Sequence, residues 1–177
     1  MSVVSEIVIE NLKEEDKTRY AEVLVESYSQ YEKDYTSKET WENYKAEIRD
    51  SVNNPNAETI LVAKKGNEIL GGLQLFIGSE KAYNLPELNI NSTIVRLLGV
   101  HPNGRGHGIA KKLLNESFKF ARLRGDEYLY LHSTDIMNVA IQLYLKLGFV
   151  RDETKDFDVN GILVKSFKYK LSLVLHK

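Results

Sequence analysis

The segment of this sequence best suited to chemistry is a glycine-rich stretch, GVHPNGRGHGIAKKLL, which covers Gly99–Leu114. It contains Arg105, His107 and several glycines, and a helical pattern of apolar residues follows at once. Glycine lets a ligand approach the backbone closely, and the first amides of a helix have no partner within the helix. Together with the positive end of the helix dipole, such a backbone binds anions, most often phosphate. The stretch therefore predicts a phosphate-binding loop.

Three known phosphate-binding motifs can be compared with this loop. A P-loop ends in Lys followed by Ser or Thr, whereas this loop continues as IAKK. The dinucleotide fingerprint G-x-G-x-x-G/A fails from either glycine that could start it, because its last position is isoleucine or lysine. The pattern R/Q-x-x-G-x-G/A is complete, with Arg105, Gly108 and Ala110 at its defined positions.

A strand before the loop and a helix beyond it are the elements expected to position the chemistry. Thr93–Val100 is apolar apart from Arg96 and Gly99, as expected of a strand buried on both faces, and Gly99 indicates a bulge or a close approach of another backbone. Ile136–Leu147 is predicted as a helix with Gly148 as its C-cap. Its predicted buried residues are Ile136, Val139, Ala140, Leu143 and Leu147.

The rest of the chain mixes helices and strands. The predicted helices are Glu14–Tyr35, Ser37–Ser51 with Ser37 as its cap, Arg105–Arg124 and Ile136–Leu147. The predicted strands are Glu6–Glu10, Thr59–Ala63, Glu68–Ile77, Thr93–Val100, Tyr128–His132, Phe149–Thr154 and Ile162–Leu173. Ser79–Asn91 is predicted as a polar loop. This mixture predicts a single domain of α/β or α+β class over residues 1–177.

The loop and its neighbours together resemble the GCN5-related N-acetyltransferase (GNAT) family. Before the motif stands RLLGVHP, which is similar to the bulged central strand of the family. Further on comes AIQLYLKLGF, Ala140–Phe149, which is similar to the second family signature, a helix with a tyrosine that ends in Gly-Phe. The order and spacing agree from Thr93 to Asp152. The resemblance implies the acyl-CoA N-acyltransferase (GNAT) fold, with a mixed, mostly antiparallel central sheet flanked by helices.

The same resemblance implies acetyl-CoA as the donor substrate. Its pyrophosphate would be held by the loop, whose candidate residues are Arg105, Gly106, His107, Gly108, Ile109 and Ala110. Leu98, Gly99 and Val100 would pair, strand-like, with the pantetheine arm. Asn138 is a further candidate contact of that arm, one position after Met137, where many members of the family have asparagine.

Acetyl transfer to an amine needs a neutral amine, a polarised thioester carbonyl and a stabilised thiolate. An amide freed by a bulge at Leu98–Gly99 would polarise the carbonyl. The resemblance makes Tyr144 the general acid that protonates the sulfur. The central strand contains no carboxylate, so Glu80, Glu87, His132 and a water chain stay open as the base.

Other functions and several acceptors also stay open. A transferase for a different acyl group or a non-catalytic acyl-CoA-binding sensor would use the same fold, while the failed motifs disfavour a nucleotide-binding protein. The acceptor is expected to be a small-molecule or peptide amine. The aromatic run Tyr28–Tyr44 and the acidic stretch Asp152–Asp158 suit a cationic amine.

Composition excludes several other classes of site and partner. The chain has no cysteine, which excludes disulfides, thiolate metal sites and cysteine nucleophiles, and its histidines lack ligand spacing, so we expect no metal. A net charge of -1 gives no reason to expect nucleic acid. No signal-peptide pattern and no apolar run of about 20 residues occurs, so we expect no membrane partner and a cytoplasmic protein. The oligomeric state stays open, a homodimer included.

Overall fold

Five α-helices and eight β-strands make up residues 6–172, the part of the chain that the computed structural model describes. The chain divides into two units. Unit 1 contains residues 6–55, 59–74 and 97–114, and unit 2 contains residues 56–58, 75–96 and 115–172. Our expectation of one domain over residues 1–177 stays a prediction.

The helices and strands are as follows. The helices are α1 (Lys17–Tyr28), α2 (Lys38–Asp50), α3 (Gly78–Tyr83), α4 (Ile109–Arg124) and α5 (Asn138–Leu147). The strands are β1 (Ile7–Asn11), β2 (Thr59–Lys65), β3 (Glu68–Ile77), β4 (Thr93–Val100), β5 (Tyr128–Ser133), β6 (Val150–Arg151), β7 (Phe157–Val159) and β8 (Ile162–Lys170). The sheet order is β1-β2-β3-β4-β5-β8-β6, with β7 paired to β8. The predicted fold class, a mixed and mostly antiparallel sheet with flanking helices, is confirmed.

In unit 1, α1 and α2 each bury an apolar face. The buried residues of these helices include Tyr20, Val23, Leu24, Trp41 and Ile48. The predicted cap of α2 is confirmed, because the Ser37 Oγ accepts a 3.0 Å hydrogen bond from the Thr40 amide. β1 runs antiparallel to β2, with Ile7 opposite Lys65.

In unit 2, β5 lies between a parallel and an antiparallel neighbour. Ile94 of β4 pairs with Tyr130 of β5 in the parallel direction, and Tyr128 pairs with Lys170 of β8 in the antiparallel direction. β7 and β8 form a hairpin whose turn, Asn160–Gly161, has positive φ at both residues, as the tight hairpin turn requires. One apolar core cluster of this unit consists of Phe76, Ala82, Ile90, Ile94 and Tyr130.

Two predicted helices extend four or more residues beyond the observed α-helix. Arg105–Arg124 becomes helical only at Ile109, because Gly106 and Gly108 have φ of 81° and 72°, outside the right-handed helical region. Glu14–Tyr35 is α-helical only over α1, with a 3₁₀ turn on either side. Both differences lie at element ends, where competing local turns decide the boundary.

Two segments outside these helices also differ from prediction. Ser79–Asn91 is not purely a loop, since most of α3 lies within it; a six-residue helix is too short for a periodic apolar pattern. The predicted strand Phe149–Thr154 is wrong beyond β6, because a 3₁₀ turn follows in which the Asp152 side chain accepts from the Thr154 amide at 3.2 Å. β7 was not predicted, and Leu173 lies outside the described residues.

Candidate active site

The predicted phosphate-binding loop leaves β4 and enters α4 within unit 1. A short 3₁₀ turn at Pro102–Gly104 follows the strand. Gly106 and Gly108 then adopt positive φ, and a Cβ built on either of them would meet no atom within 4 Å. The backbone around these two glycines is therefore open, and their conformation itself favours glycine. Glycine is favoured at position 104 for a different reason, because a Cβ built there would lie 2.9 Å from the Ile109 Cδ1.

The start of α4 presents backbone donors to this open loop. The Lys112 amide makes a 3.1 Å bond to the Gly108 carbonyl, so the amides of Ile109, Ala110 and Lys111 precede the first bonded position of the helix. The first turn of α4 contains no acidic side chain that would compete for them. Ile109 is buried and anchors the turn. These donors, with the positive end of the helix dipole, fit an anion.

Arg105 and His107 both contact backbone of unit 1. The Arg105 Nη2 donates to the Ser27 carbonyl at 3.2 Å, which ties the loop to the end of α1. The His107 Nδ1 lies 3.2 Å from the Gly104 carbonyl oxygen and 3.0 Å from that of Arg105. The histidine ring thus contacts the backbone of its own loop through Nδ1.

The last residues of β4, proposed from the sequence as contacts of the pantetheine arm, are irregular and crowded. Leu97 has φ of 54°, a left-handed conformation that the sequence did not predict. The Leu98 carbonyl accepts a 3.0 Å hydrogen bond from the Tyr28 hydroxyl. A Cβ on Gly99 would lie 3.0 Å from the Ser27 Cβ, so a larger residue there would require α1 to shift by a few tenths of an ångström. Val100 is half-buried at the end of the strand.

Tyr144 lies on α5 in unit 2 and is only 7% exposed. Its ring centroid is 5.9 Å from that of Phe149. The predicted buried face of this helix is wrong, because Val139 is 82% exposed while Ile141 and Tyr144 are buried. The Gly148 cap is confirmed by its φ of 108°.

Asn138, the other α5 candidate, lies exposed at the first position of the helix. Its Oδ1 accepts a 3.4 Å hydrogen bond from the Gln142 Nε2. The two residues are one helical turn apart and exposed, so this hydrogen bond fixes the Asn138 side chain only weakly.

The three side chains that the sequence left open as the general base all belong to unit 2. Glu80 and Glu87 are exposed. The His132 Nδ1 lies 3.1 Å from the Tyr83 hydroxyl, and its Nε2 lies 3.2 Å from the Lys155 carbonyl oxygen. Burial lowers the pKa of His132 to about 4, so the ring is neutral near pH 7. Both ring nitrogens are engaged, and the lowered pKa makes His132 a weak proton acceptor near pH 7.

Two residues of α1, Ser27 and Tyr28, contact the residues proposed to bind the donor, whereas the sequence placed Tyr28 only in the aromatic run suited to an acceptor amine. Ser27 packs against Gly99 and binds Arg105 through its carbonyl, and Tyr28 binds Leu98. The only signal in the sequence was the helical spacing of Tyr28, which indicates burial but no partner 70 residues away.

Neither a cluster of metal-ligating side chains nor a membrane-spanning helix occurs within residues 6–172. That part of the chain holds no group of three or more histidine or acidic side chains placed to bind a metal ion. No helix in the same range is both long and apolar enough to cross a bilayer.

Solved structures similar to this chain share its fold. The PaiA N-acetyltransferase of Thermoplasma acidophilum, in complex with coenzyme A, is 22% identical with a TM-score of 0.70, covering 93% of this chain and 99% of its own. A GNAT-family acetyltransferase of Staphylococcus aureus is 16% identical with a TM-score of 0.70, covering 94% and 100%. The yncA structure of Salmonella typhimurium, with its cofactor acetyl-CoA, is 17% identical with a TM-score of 0.61, covering 98% of each chain.

The comparison with curated proteins gave no match. The model of the acetyltransferase (GNAT) family matches residues 18–149, well over half of the 177 residues. The matched range contains both the glycine loop with the start of α4 and the helix that carries Tyr144. The chain therefore belongs to the acetyltransferase (GNAT) family.

Proposed function

We infer that this protein is an acetyl-CoA-dependent N-acetyltransferase, which moves the acetyl group of acetyl-CoA to the nitrogen of an amine. The observation that carries this inference is the open backbone at Gly106 and Gly108 in front of the first amides of α4. A diphosphate is the anion that such a glycine loop and helix start suit. Structural neighbours in complex with coenzyme A or acetyl-CoA support the inference.

In this proposal the chain holds the donor mainly through backbone groups. The loop amides from Arg105 to Ala110 bind the pyrophosphate, and the Arg105 guanidinium adds positive charge beside it. Leu98, Gly99 and Val100 offer strand-like hydrogen-bonding groups to the pantetheine arm. Asn138 is an additional, weaker contact of the same arm.

The chemistry assigned to the chain is polarisation and proton transfer. The neutral amine nitrogen forms a bond to the thioester carbon as the carbon–sulfur bond breaks. The Gly99 amide polarises the carbonyl oxygen, and the Tyr144 hydroxyl gives its proton to the departing sulfur. Water removes the proton of the amine, since a pKa of about 4 makes His132 a weak base and both of its ring nitrogens are engaged. A cytoplasmic location and a small-molecule or peptide acceptor belong to the same proposal.

Ligand-dependent unfolding and thiol release test this function together. Acetyl-CoA at about 100 times its Kd would stabilise the folded chain by about 2.7 kcal/mol, and ATP at the same concentration would give a smaller shift. Free thiol would then appear when an amine is added. No thermal shift at millimolar acetyl-CoA would contradict the proposal. Binding without thiol release across all amine classes would instead support a sensor.

A further inference from the structure

Five aromatic side chains form a continuous cluster in unit 1, between the end of α1 and the middle of α2. The aromatic cluster consists of Tyr28, Tyr31, Tyr35, Trp41 and Tyr44. Five ring pairs within it have centroids 5.2 to 6.2 Å apart. Trp41 and Tyr28 are buried, whereas Tyr31, Tyr35 and Tyr44 are only half-buried. The three half-buried tyrosine rings are therefore partly accessible to a ligand, and they pack against the buried rings of Tyr28 and Trp41.

The aromatic cluster is joined directly to the strand and the loop that the proposed function assigns to the donor. Tyr28 binds the Leu98 carbonyl at 3.0 Å. The Tyr31 side chain lies close enough to the Arg105 guanidinium for its pKa to be lowered by that charge, although burial raises it more strongly. An acceptor bound on the aromatic cluster would lie beside the proposed thioester position.

The charges near the aromatic cluster differ between its two ends. The Tyr31 end is next to the positive Arg105 as well as Asp34. At the Tyr35 end, Tyr35 stacks on Tyr44 at 5.4 Å and 29°, and Glu47 is a charged neighbour of Tyr35. The ammonium of Lys45, on the same helix, is paired with the Glu42 carboxylate at 2.9 Å. Tyrosine faces next to a carboxylate attract a cation.

Trp41 does not offer a further binding face of this kind. The Lys45 Nζ already lies 5.9 Å from the Trp41 ring centroid. Burial raises the pKa of the Tyr35 hydroxyl, and Tyr44 and Glu47 raise it further, so Tyr35 stays neutral at physiological pH. The Tyr35–Tyr44 stack with Glu47 is thus the place in the aromatic cluster where a ligand cation is best accommodated.

An acceptor that binds the tyrosine faces as a cation must have a second amino group for the reaction. The attacking nitrogen must be neutral, so it cannot be the cation that binds the tyrosine faces. We propose that the acceptor is a diamine or longer polyamine, whose retained ammonium binds the Tyr35–Tyr44 stack beside Glu47 while another amine is acetylated near Leu98. This rests on the proposed acetyltransferase function. The reacting nitrogen gains the acetyl carbon and loses a proton to water, and coenzyme A leaves as the thiol.

Matched acceptors test the proposal with the full chain. We would measure kcat/KM for unbranched diamines and for the monoamines and amino alcohols of equal chain length. One cation–π site predicts about tenfold higher kcat/KM for the diamine, mostly through KM. Equal values for the three acceptors, or a preference for a neutral aromatic amine, would overturn the proposal.

Variants assign the preference to the named residues. Tyr35→Leu and Glu47→Gln should each raise KM severalfold more for diamines than for monoamines, whereas Tyr35→Phe keeps an aromatic face and most of the preference. Glu39→Gln, the same change at an exposed position of α2, is the control. An undiminished diamine preference in Tyr35→Leu and Glu47→Gln would refute the assignment.

Acetyl-CoA binding, measured by calorimetry without acceptor, separates this proposal from the one on which it rests. If acetyl-CoA does not bind the parent protein, both fail. If it binds and monoamines are acetylated as well as diamines, the acetyltransferase function stands and the second-cation site is wrong. If acetyl-CoA binds but no amine is turned over, diamine binding to the protein with coenzyme A decides, and its absence overturns the proposal.

Discussion

The Tyr28 hydroxyl donates a 3.0 Å hydrogen bond to the Leu98 carbonyl, and thereby links the end of α1 to the irregular end of β4. The adjacent Leu97 has left-handed φ, and Gly99 packs against Ser27, the neighbour of Tyr28. The strand segment proposed to contact the donor is thus held in an unusual backbone conformation by two successive residues of one helix.

Tyr28→Phe is expected to lower the free energy of unfolding by about 1 kcal/mol, because it removes this bond and leaves a partly buried carbonyl without this partner. Denaturant unfolding measures the difference. Tyr28→Leu serves as the comparison, since it also removes the packed ring and should cost more, about 2–4 kcal/mol. A Tyr28→Phe protein as stable as the parent would show that the hydroxyl contributes nothing to holding β4.

Gly108→Asp and Gly108→Asn form a matched pair at the proposed pyrophosphate position. Asn and Asp tolerate left-handed φ better than other residues, so both variants should lose a similar 1 kcal/mol or so of stability. They differ in charge, and only aspartate repels a phosphate at the start of α4. We expect Gly108→Asp to lose at least about tenfold more acetyl-CoA affinity than Gly108→Asn, as measured by calorimetry. Equal affinities would mean that no phosphate lies at Gly108.

Local sequence features predicted the parts of the fold that depend on local backbone chemistry. The bounds of β3 and β4, the Ser37 cap and the Gly148 cap all follow from patterns spanning a few residues. The open glycines of the loop were also located, although α4 begins four residues later than its predicted start at Arg105.

Features that depend on tertiary packing were not predicted. The helical spacing of Tyr28 could not identify Leu98 as its partner, because the two residues are 70 positions apart. On α5, the spacing of the aliphatic residues predicted that Val139 is buried. In the structure Val139 is exposed, and Tyr144, whose ring packs against Phe149, is buried instead. The sequence showed that aromatic residues are frequent between Tyr28 and Tyr44. Which of their rings pack together, and that Glu47 lies near Tyr35, became known only from the structure.

His132 is expected to make the protein less stable in acid. Its pKa is lowered to about 4 by burial, against an ordinary value near 6.5, with Asp156 and Asp152 raising it and Arg96 lowering it. Between these values the unfolded chain binds a proton that the folded chain does not. The contribution, roughly 3 kcal/mol, is therefore present above pH 6.5 and is lost as the pH falls towards 4.

His132→Gln tests this dependence. The variant keeps a polar side chain at the position but has no titration in that range, so its free energy of unfolding should change less between pH 6.5 and 4 than that of the parent. Denaturant unfolding at several pH values gives both curves, and the carboxylates that titrate in both proteins cancel in the difference. Parallel curves would show that His132 is not held neutral by its surroundings.

Tyr144→Phe is expected to preserve the fold and acetyl-CoA binding but to lose turnover. The ring is buried against Phe149, and removing the hydroxyl leaves that packing in place. Thiolate is a tolerable leaving group and tyrosine only a modest acid for it, since their ordinary pKa values are near 8.5 and 10. The loss in kcat should therefore be about 100-fold, at the low end for general acids, with little change in cofactor affinity.

Tyr169→Phe is the matched control for this variant, because Tyr169 also contacts Phe149, with ring centroids 5.5 Å apart, and has no assigned catalytic role. Both variants should unfold at similar denaturant concentrations, but only Tyr144→Phe should lose kcat. The measurement needs conditions in which chemistry, rather than product release, limits the rate. If Tyr144→Phe then turns over as fast as Tyr169→Phe, the proton on the coenzyme A sulfur comes from solvent, and Tyr144 serves only the packing of α5 against Phe149.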